Sequence, residues 1–348
     1  MSELPDVSRL ESKLANIRAG RYRRSDFIIA DAKDGDMGSG VTYAAPKRDA
    51  DGSWSRYRTR QEFLEGIRAI VEQDIVDIML TSVSNLERLV EMGVFAGSAV
   101  KPAIRANDAT DCWGGVRGQT YGKTPSRPFR TADLGRVMQA VVGPTPGEPL
   151  TDLGLYSVTF NNDVESDLRS LEEFAAFRDE AAHWGLRYFY EVFNPNVACG
   201  VGPELIPHYV NDCIIRSLSG VSIADRPLFL KIPYNGAKAL EELASFDPSL
   251  VVGVLGGGAG TARDTFELIY QAERYGGRLA LFGRKINLAE APLEIIRLMR
   301  EVADGTILPA EAVRTYHATL KDAGIPSIRS LEDDLAVTEA PLKPAASG

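Results

Sequence analysis

A single lysine interrupts an apolar stretch of this chain, PLFLKIP at residues 227–233. Burial of an ammonium group is costly unless the group is paired, neutralised or used, so Lys231 needs an explanation. A structural explanation is that the side chain reaches past the strand end to water or pairs with a carboxylate. A catalytic explanation is that an uncharged lysine amine attacks a carbonyl and forms a Schiff base. The iminium then acts as an electron sink, so that a carbon–carbon bond one atom away can break.

A carboxylate that moves protons would complete such chemistry, and two acidic residues are candidates. Glu191 lies in the segment LRYFYEVF (186–193) and can serve as a general acid and base, or only as a structural salt-bridge partner. Asp31 closes the segment DFIIAD (26–31) and can orient a sugar hydroxyl, cap a loop or bind a cation. Because neighbouring strands lie about 4.8 Å apart, Glu191 and Lys231 can approach each other from adjacent strands.

A glycine-rich turn in LGGGAGTARD, residues 255–264, has the composition of an anion site. Gly256, Gly257 and Gly258 let backbone N–H groups approach an anion at the N-terminus of the following helix. The dinucleotide motif G-x-G-x-x-G is not satisfied, because the residues after Gly260 are Thr-Ala-Arg. We therefore expect a phosphate group here and no nicotinamide cofactor.

Three further positions are candidates for substrate binding. Gly283 and Arg284 repeat the strand–glycine arrangement, and Arg284 can bind phosphate oxygens through two parallel hydrogen bonds or be merely structural. Lys33, two residues after Asp31, is either a ligand or a solvated lysine. Asn161, at the end of the segment LGLYSVTF, either lines the pocket or caps the next helix.

The elements that must position these residues follow an alternating pattern of strands and helices. Eight strand-like segments are separated by segments of helical period; they are DFIIAD (26–31), DIVDIMLT (74–81), KPAIRA (101–106), LGLYSVTF (153–160), LRYFYEVF (186–193), PLFLKIP (227–233), LVVGVLG (250–256) and LALFG (279–283). This pattern predicts a single-domain α/β protein with a (β/α)8 TIM barrel, and a doubly wound sheet is the alternative. A barrel places its site at the carboxyl ends of the strands.

We expect three parts along the chain: an N-terminal helical segment (1–25), the barrel (26–305), and a C-terminal helical extension with a flexible tail (306–348). The barrel carries two long connections, 107–150 and 194–226. Connections of this length in a compact domain are often functional.

Composition excludes several classes of protein. The 348 residues carry a formal net charge of −9, which argues against a general nucleic-acid binder. The chain contains no run of about 18 apolar residues, so we expect no membrane span. The N-terminus lacks the pattern of a secretory signal. The 3 histidines do not form metal-binding pairs, so we expect no metal site. The sequence has three widely spaced cysteines, Cys112, Cys199 and Cys213. This spacing predicts reduced thiols in a cytoplasmic protein.

These motifs, in their order and strand positions, resemble those of the class I, Schiff-base aldolases of the tagatose-1,6-bisphosphate aldolase type. The likeness to archaeal-type class I fructose-bisphosphate aldolases is looser. The resemblance runs from about Asp26 to Leu335, and its matching segments are Ala30-Asp31-Ala32-Lys33-Asp34, Asn161-Asn162-Asp163-Val164-Glu165, Phe189-Tyr190-Glu191, Leu230-Lys231-Ile232, Gly256-Gly257-Gly258, Phe282-Gly283-Arg284 and Gly324-Ile325-Pro326-Ser327-Ile328-Arg329-Ser330-Leu331.

The resemblance implies a role for each candidate. Lys231 would form the iminium, Glu191 would shuttle protons, and Asp31 would hold the hydroxyl at the bond being cleaved. The glycine-rich turn and Arg284 would bind the phosphate of the dihydroxyacetone half. The implied partner is a small sugar phosphate, with no cofactor, and a homodimer is the expected assembly.

Two departures from the family pattern affect the choice of substrate. Ala32 and Lys33 stand where the family has glutamine and arginine, and a strand-four lysine of the family falls at about Ser157. A different acceptor aldehyde is therefore expected to be possible. Alternatives are a Schiff-base aldolase for a sulfonated or non-bisphosphate ketose, a transaldolase, a nicotinamide-dependent oxidoreductase, and a barrel that senses sugar phosphates without catalysis.

Overall fold

Eight parallel strands close into a barrel at the centre of the protein. The structure is a computed structural model that describes residues 8–49, 52–143, 146–258 and 260–347. In chain order the strands are β1 Ile28–Lys33, β2 Ile78–Thr81, β3 Lys101–Arg105, β4 Leu153–Thr159, β5 Arg187–Phe193, β6 Leu230–Ile232, β7 Val252–Leu255 and β8 Leu279–Phe282. Each pairs with its sequence neighbours, and β8 pairs with β1. The predicted (β/α)8 fold is confirmed, and the doubly wound alternative is not.

Helices surround the barrel and connect its strands. The longer ones are α1 Arg9–Arg18, α2 Arg60–Gln73, α3 Val83–Glu91, α4 Leu134–Met138, α5 Val164–Trp184, α6 Ile206–Leu218, α7 Ala237–Phe246, α8 Ala262–Arg274, α9 Pro292–Asp304 and α10 Pro309–Asp322. Single helical turns occur at Asp36–Ser39, Arg284–Asn287 and Leu331–Asp334. Among the described residues, none of these helices has both the length and the apolar character needed to cross a bilayer.

Several strand boundaries differ from the predicted ones, and in two strands the cause is a helix cap or proline residues. β2 begins at Ile78 because Asp74 is the left-handed cap of α2, with φ 56°, and cannot start a strand. β6 is shorter than the predicted segment because Pro227 and Pro233 lack the N–H that a strand ladder needs. β1 continues to Lys33, two residues beyond its predicted end.

Alternate residues of each strand face either the barrel interior or the surrounding helices. The interior is an apolar cluster that α1 closes at the amino-terminal end of the barrel; it includes Leu10, Leu14, Ile28, Ala30, Ile78, Leu80, Ala103, Leu155, Phe189, Phe229 and Leu279. The outer cluster packs strands against helices and includes Ile29, Met79, Ile104, Tyr156, Tyr190, Leu230 and Phe282. A polar side chain can therefore reach the open end of the barrel only if it lies on the interior face of its strand.

Asp31 belongs to the outer layer. It alternates with the interior residue Ala30, and its register partners Met79 and Phe282 are both members of the outer cluster. Its fully buried carboxylate lies 3.0 Å from the Nζ of Lys33. Burial raises the pKa of Asp31 to about 6, against the effect of Lys33, and burial also lowers the pKa of Lys33.

The C-terminal segment, for which the sequence predicted a flexible tail, lies along α8. Leu342 is buried, and its carbonyl accepts a hydrogen bond of 2.8 Å from the side-chain amide of Gln271. The hydroxyl of Ser347 donates to Glu267 over 2.7 Å. These bonds tie the C-terminal segment to α8 and add to the partners of its buried polar side chains, since Gln271 also accepts from Tyr234 and Glu267 also accepts from Arg263.

We expect the buried Asp31 to make stability depend on pH. Its pKa is raised from 3.8 to about 6, so the folded protein holds this proton over a range in which the unfolded chain has released it. The free energy of unfolding of the wild type should therefore fall, relative to Asp31→Asn, by roughly 3 kcal/mol as pH rises through this range, and stay level above it. Urea denaturation of both proteins between about pH 4 and pH 7 measures the difference.

The control is Asp322→Asn, at an exposed position on α10. Its stability should stay parallel to that of the wild type across the range. A constant difference between the wild type and Asp31→Asn would contradict the prediction.

Candidate functional site

A cavity of about 450 Å³ opens at the carboxyl ends of the barrel strands, and we call it the central cavity. Strand ends and the turns that follow them contribute its walls, including Lys33, Asp34, Arg105, Asp111, Cys112, Glu191, Phe193, Lys231, Gly256, Gly257, Gly283, Arg284 and Asn287. Barrels of this architecture place their sites at this face.

Lys231 and Glu191 form an ion pair in this cavity. The two residues are register partners on β6 and β5, and Lys231 Nζ lies 2.7 Å from Glu191 Oε1. Each follows an interior residue by two positions, Phe229 and Phe189 respectively, so both side chains face inward. The side chains are only 8% and 1% exposed. The lysine that interrupts the apolar segment is thus buried, paired and turned toward the cavity.

A second hydrogen bond fixes the other oxygen of Glu191. Ser157 on β4, the register partner of Glu191, donates from Oγ to Oε2 over 2.6 Å. Arg105 at the end of β3 donates from Nη2 to the same hydroxyl over 3.2 Å. A polar row therefore crosses four adjacent strands in the order Arg105, Ser157, Glu191, Lys231, and we refer to it as the polar row.

Arg105 ties the polar row to the loops above it. Its guanidinium lies 3.0 Å from the carboxylate of Asp34 and donates to the carbonyl of Asn107 over 2.9 Å and to Cys112 Sγ over 3.2 Å. The Asn107 amide in turn binds the backbone N–H and carbonyl of Ser157. These contacts hold Arg105 and Ser157, two members of the polar row, in place.

The long connection after β3 is anchored over the cavity by Asp111. Its carboxylate accepts hydrogen bonds from the hydroxyls of Thr159 and Ser126, at 2.7 and 2.8 Å. Burial raises the pKa of the neighbouring Cys112 to about 12, more than Arg105 lowers it. Cys112 is therefore a protonated thiol at neutral pH and a poor nucleophile.

The glycine-rich turn lies at the edge of the central cavity. A side chain at Gly256 would place its Cβ 2.8 Å from Phe282, so this glycine allows close packing of β7 against β8. Gly257 has a φ of 64°, the left-handed region that glycine adopts most readily. Within the described parts of the chain, the amides of Gly257 and Gly258 have no hydrogen-bond acceptor. Two N–H groups are thus available to an anion.

The N-terminus of α8, by contrast, is occupied by carboxylates of the chain itself. Ala262 N–H donates to Asp334 over 2.8 Å, and Thr261 N–H donates to Asp264 over 3.0 Å. Glu339, from the C-terminal segment, pairs with Lys285 at 2.8 Å on the outer side of the turn. Carboxylates of the chain thus occupy the helix end of the turn, whereas Gly256 and Gly257 line the central cavity.

Arg284 is exposed at the rim of the cavity, where it donates to the carbonyl of Gly257 over 3.1 Å. Most of its donors stay available to a ligand. Gly283 allows close approach to β1, because a Cβ there would lie 2.9 Å from the carbonyl of Ala32. In the described ranges, no three His, Cys, Asp or Glu side chains converge as metal ligands would.

Three of the predicted site residues, Asp31, Asn161 and Gly258, do not line the central cavity. The carboxylate of Asp31 faces the outer layer, and Lys33 contributes to the cavity wall while its amine is paired with Asp31. Asn161 is buried, and its side-chain oxygen accepts from the backbone of Asn196, which links the ends of β4 and β5. The carboxylate that β1 directs to the cavity belongs instead to Asp34.

The sequence contained a signal for the residues that were missed or given little weight. Arg105 and Ser157 each stand two positions after an interior apolar residue, Ala103 and Leu155, as Lys231 does after Phe229. Residues two positions apart lie on the same face of a strand, so this spacing predicts that Arg105 and Ser157 face the barrel interior, as Glu191 does.

Solved structures share this architecture. The chain is similar to a crystal structure of an archaeal fructose 1,6-bisphosphate aldolase, with a TM-score of 0.59 and 16% identity over 85% of this chain and 99% of that chain. A Schiff-base-forming fructose-1,6-bisphosphate aldolase gives 0.58 and 16% over 84% and 99%. Fructose-bisphosphate aldolase from Slackia heliotrinireducens gives 0.61 and 13% over 92% and 94%. No protein-family model and no curated protein matches the sequence. At these identities the likeness establishes the fold: this chain has the barrel that these aldolases have.

Proposed function

We propose that the protein is a class I aldolase. It reversibly cleaves a phosphorylated ketose to dihydroxyacetone phosphate and an aldehyde, through a Schiff base on Lys231. The observation that carries the proposal is the inward-facing pair in which Lys231 Nζ lies 2.7 Å from Glu191 at the carboxyl end of the barrel. The fold shared with solved fructose-bisphosphate aldolases supports it.

The pair supplies the proton transfers that the reaction needs. The Lys231 ammonium gives one proton to Glu191, and the free amine attacks the ketone to form a carbinolamine. Glu191 returns a proton to the carbinolamine hydroxyl, which leaves as water, and the iminium remains. Glu191, again a carboxylate, takes the proton of the hydroxyl beyond the scissile bond, the bond breaks to release the aldehyde, and the iminium takes up the electron pair as an enamine. Glu191 then returns that proton to the enamine carbon, and hydrolysis of the regenerated iminium by water releases dihydroxyacetone phosphate and the Lys231 amine.

The rest of the cavity supports substrate binding at both sides of the reacting carbon. The amide of Gly257 and the guanidinium of Arg284, which both line the central cavity, form the proposed site of the substrate phosphate together with the adjacent amide of Gly258. Asp34 takes the hydroxyl-binding role expected of Asp31, because it is the carboxylate that lies beside Arg105 in the cavity.

The substrate is proposed to resemble tagatose or fructose bisphosphate, on the family resemblance. A sulfonated or non-bisphosphate ketose would use the same lysine chemistry. Transaldol transfer would use it as well.

Replacement of Lys231 by Met should abolish Schiff-base formation, because the nucleophilic amine is lost. Dihydroxyacetone phosphate and borohydride should add the mass of a reduced adduct to the wild-type chain, located on the Lys231 peptide by mass spectrometry, and add none to the variant. Lys238→Met, at an exposed position at the start of α7, is the matched control and should label like the wild type. A Lys231→Met protein that cleaves ketose phosphates at the native rate would refute the proposed function.

Replacement of Ser157 by Ala should slow the chemical step and leave the fold intact. Loss of a hydrogen bond to the carboxylate should lower kcat roughly 10-fold to 100-fold with little change in KM. Ser170→Ala removes an equally buried serine hydroxyl from α5, away from the cavity, and should change neither quantity. Equal effects of the two substitutions would show that Ser157 has only a structural role.

A further inference from the structure

A second cavity, of about 400 Å³, lies beside the central one, and we call it the basic cavity. Its walls come from the hairpin of Pro46–Arg48 and Trp54–Tyr57, the start of α8, the turn after β8 and the C-terminal segment. Its volume is within the range of small-molecule sites. Six of its lining residues are basic, namely Lys47, Arg48, Arg58, Arg284, Lys285 and Arg329.

The two acidic residues of the basic cavity are already engaged elsewhere. Glu290 accepts hydrogen bonds from the Tyr316 hydroxyl at 3.0 Å and from a backbone N–H at 2.6 Å. Asp334 accepts from the Ala262 N–H and contacts His317 Nε2 at 2.9 Å. Neither carboxylate pairs with an arginine of the cavity, so the residues that the structure describes leave the positive charge on its walls unpaired from within.

Arg58 is a half-buried basic residue of this cavity whose charge has no direct partner among the described residues. Lys47 pairs with Glu62, and Lys285 pairs with Glu339. Within the described ranges, the half-buried guanidinium of Arg58 has no hydrogen-bond or ion-pair partner. Burial lowers the pKa of Arg58; Glu62 opposes this effect and neighbouring Arg48 adds to it. A partly desolvated cation without a partner is unfavourable unless an anion binds to it.

We propose that the basic cavity is a second anion site, which binds a phosphate group, free or as the ester of a small metabolite, on Arg58. Arg48, Arg284 and Arg329 line the same cavity, and planar guanidinium groups match phosphate oxygens through paired hydrogen bonds. The apolar side chains of Leu288 and Ile295 also line the cavity and would contact the carbon part of an ester.

The site is distinct from the proposed active site, although the two share a wall. Lys231 and Glu191 do not line the basic cavity, whereas Arg284 and Asn287 line both. The inference rests on the basic cavity alone and does not require the protein to be an aldolase. Because Arg284 serves both cavities, a test of the second site must act on Arg58.

The test is a calorimetric titration of the full chain with inorganic phosphate and with glycerol 3-phosphate at low salt. Arg58→Ala should weaken one binding event about tenfold or more. The control Arg314→Ala removes an exposed arginine of α10 that lines neither cavity, and it should bind like the wild type. Arg329→Ala, at an exposed position, should give a smaller loss without risk to the fold.

The outcomes separate this proposal from the proposed function. Borohydride trapping of dihydroxyacetone phosphate on Lys231 should be unchanged in Arg58→Ala, and its failure in the wild type would refute only the aldolase. Tighter binding of the ester identifies a phosphorylated metabolite as the occupant, and equal binding identifies the phosphate ion. If Arg58→Ala and Arg329→Ala bind both probes with the stoichiometry and affinity of the wild type, the second site does not exist.

Discussion

The buried ion pair between Lys231 and Glu191 is the interaction on which the carboxyl end of the barrel depends. Removing two charges from water is expensive, and mutual attraction compensates only when the remaining hydrogen-bonding positions are also satisfied. The structure meets this condition through Ser157 and Arg105, which continue the pair across four strands to Asp34. The same contacts that make the charges tolerable hold the carboxylate and the amine in fixed positions, as acid–base chemistry on a carbonyl requires.

A second buried lysine–carboxylate pair shows how much depends on the face of the strand. Asp31 and Lys33 on β1 form an ion pair of 3.0 Å, similar in chemistry to Lys231 and Glu191. Their carboxylate faces the helices and is sealed from solvent, whereas Glu191 faces the barrel interior beneath the central cavity. Because side chains alternate along a strand, a shift of one residue exchanges these two environments.

The C-terminal segment determines where anions can bind. Asp334 and Glu339 place carboxylates at the start of α8 and beside Lys285, positions at which a helix N-terminus and a lysine would otherwise attract an external anion. Gly256 and Gly257 of the glycine-rich turn line the central cavity, Arg58 lines the basic cavity, and Arg284 lines both. Acidic residues of the chain itself thus occupy the start of α8 and Lys285, and they leave Arg58 and Arg284 without carboxylate partners among the described residues.

The sequence by itself determined the barrel and the central pair. Apolar periodicity is a local property, so eight strands could be predicted, and the neighbouring positions of Glu191 and Lys231 followed from the order of β5 and β6. Tertiary structure alone decided the orientation of Asp31, because the predicted strand did not determine which of its two faces is turned to the barrel interior. It also decided the contacts of Arg105 with Asp34 and the basic cavity, since closure of the barrel brings together side chains that lie far apart in the chain.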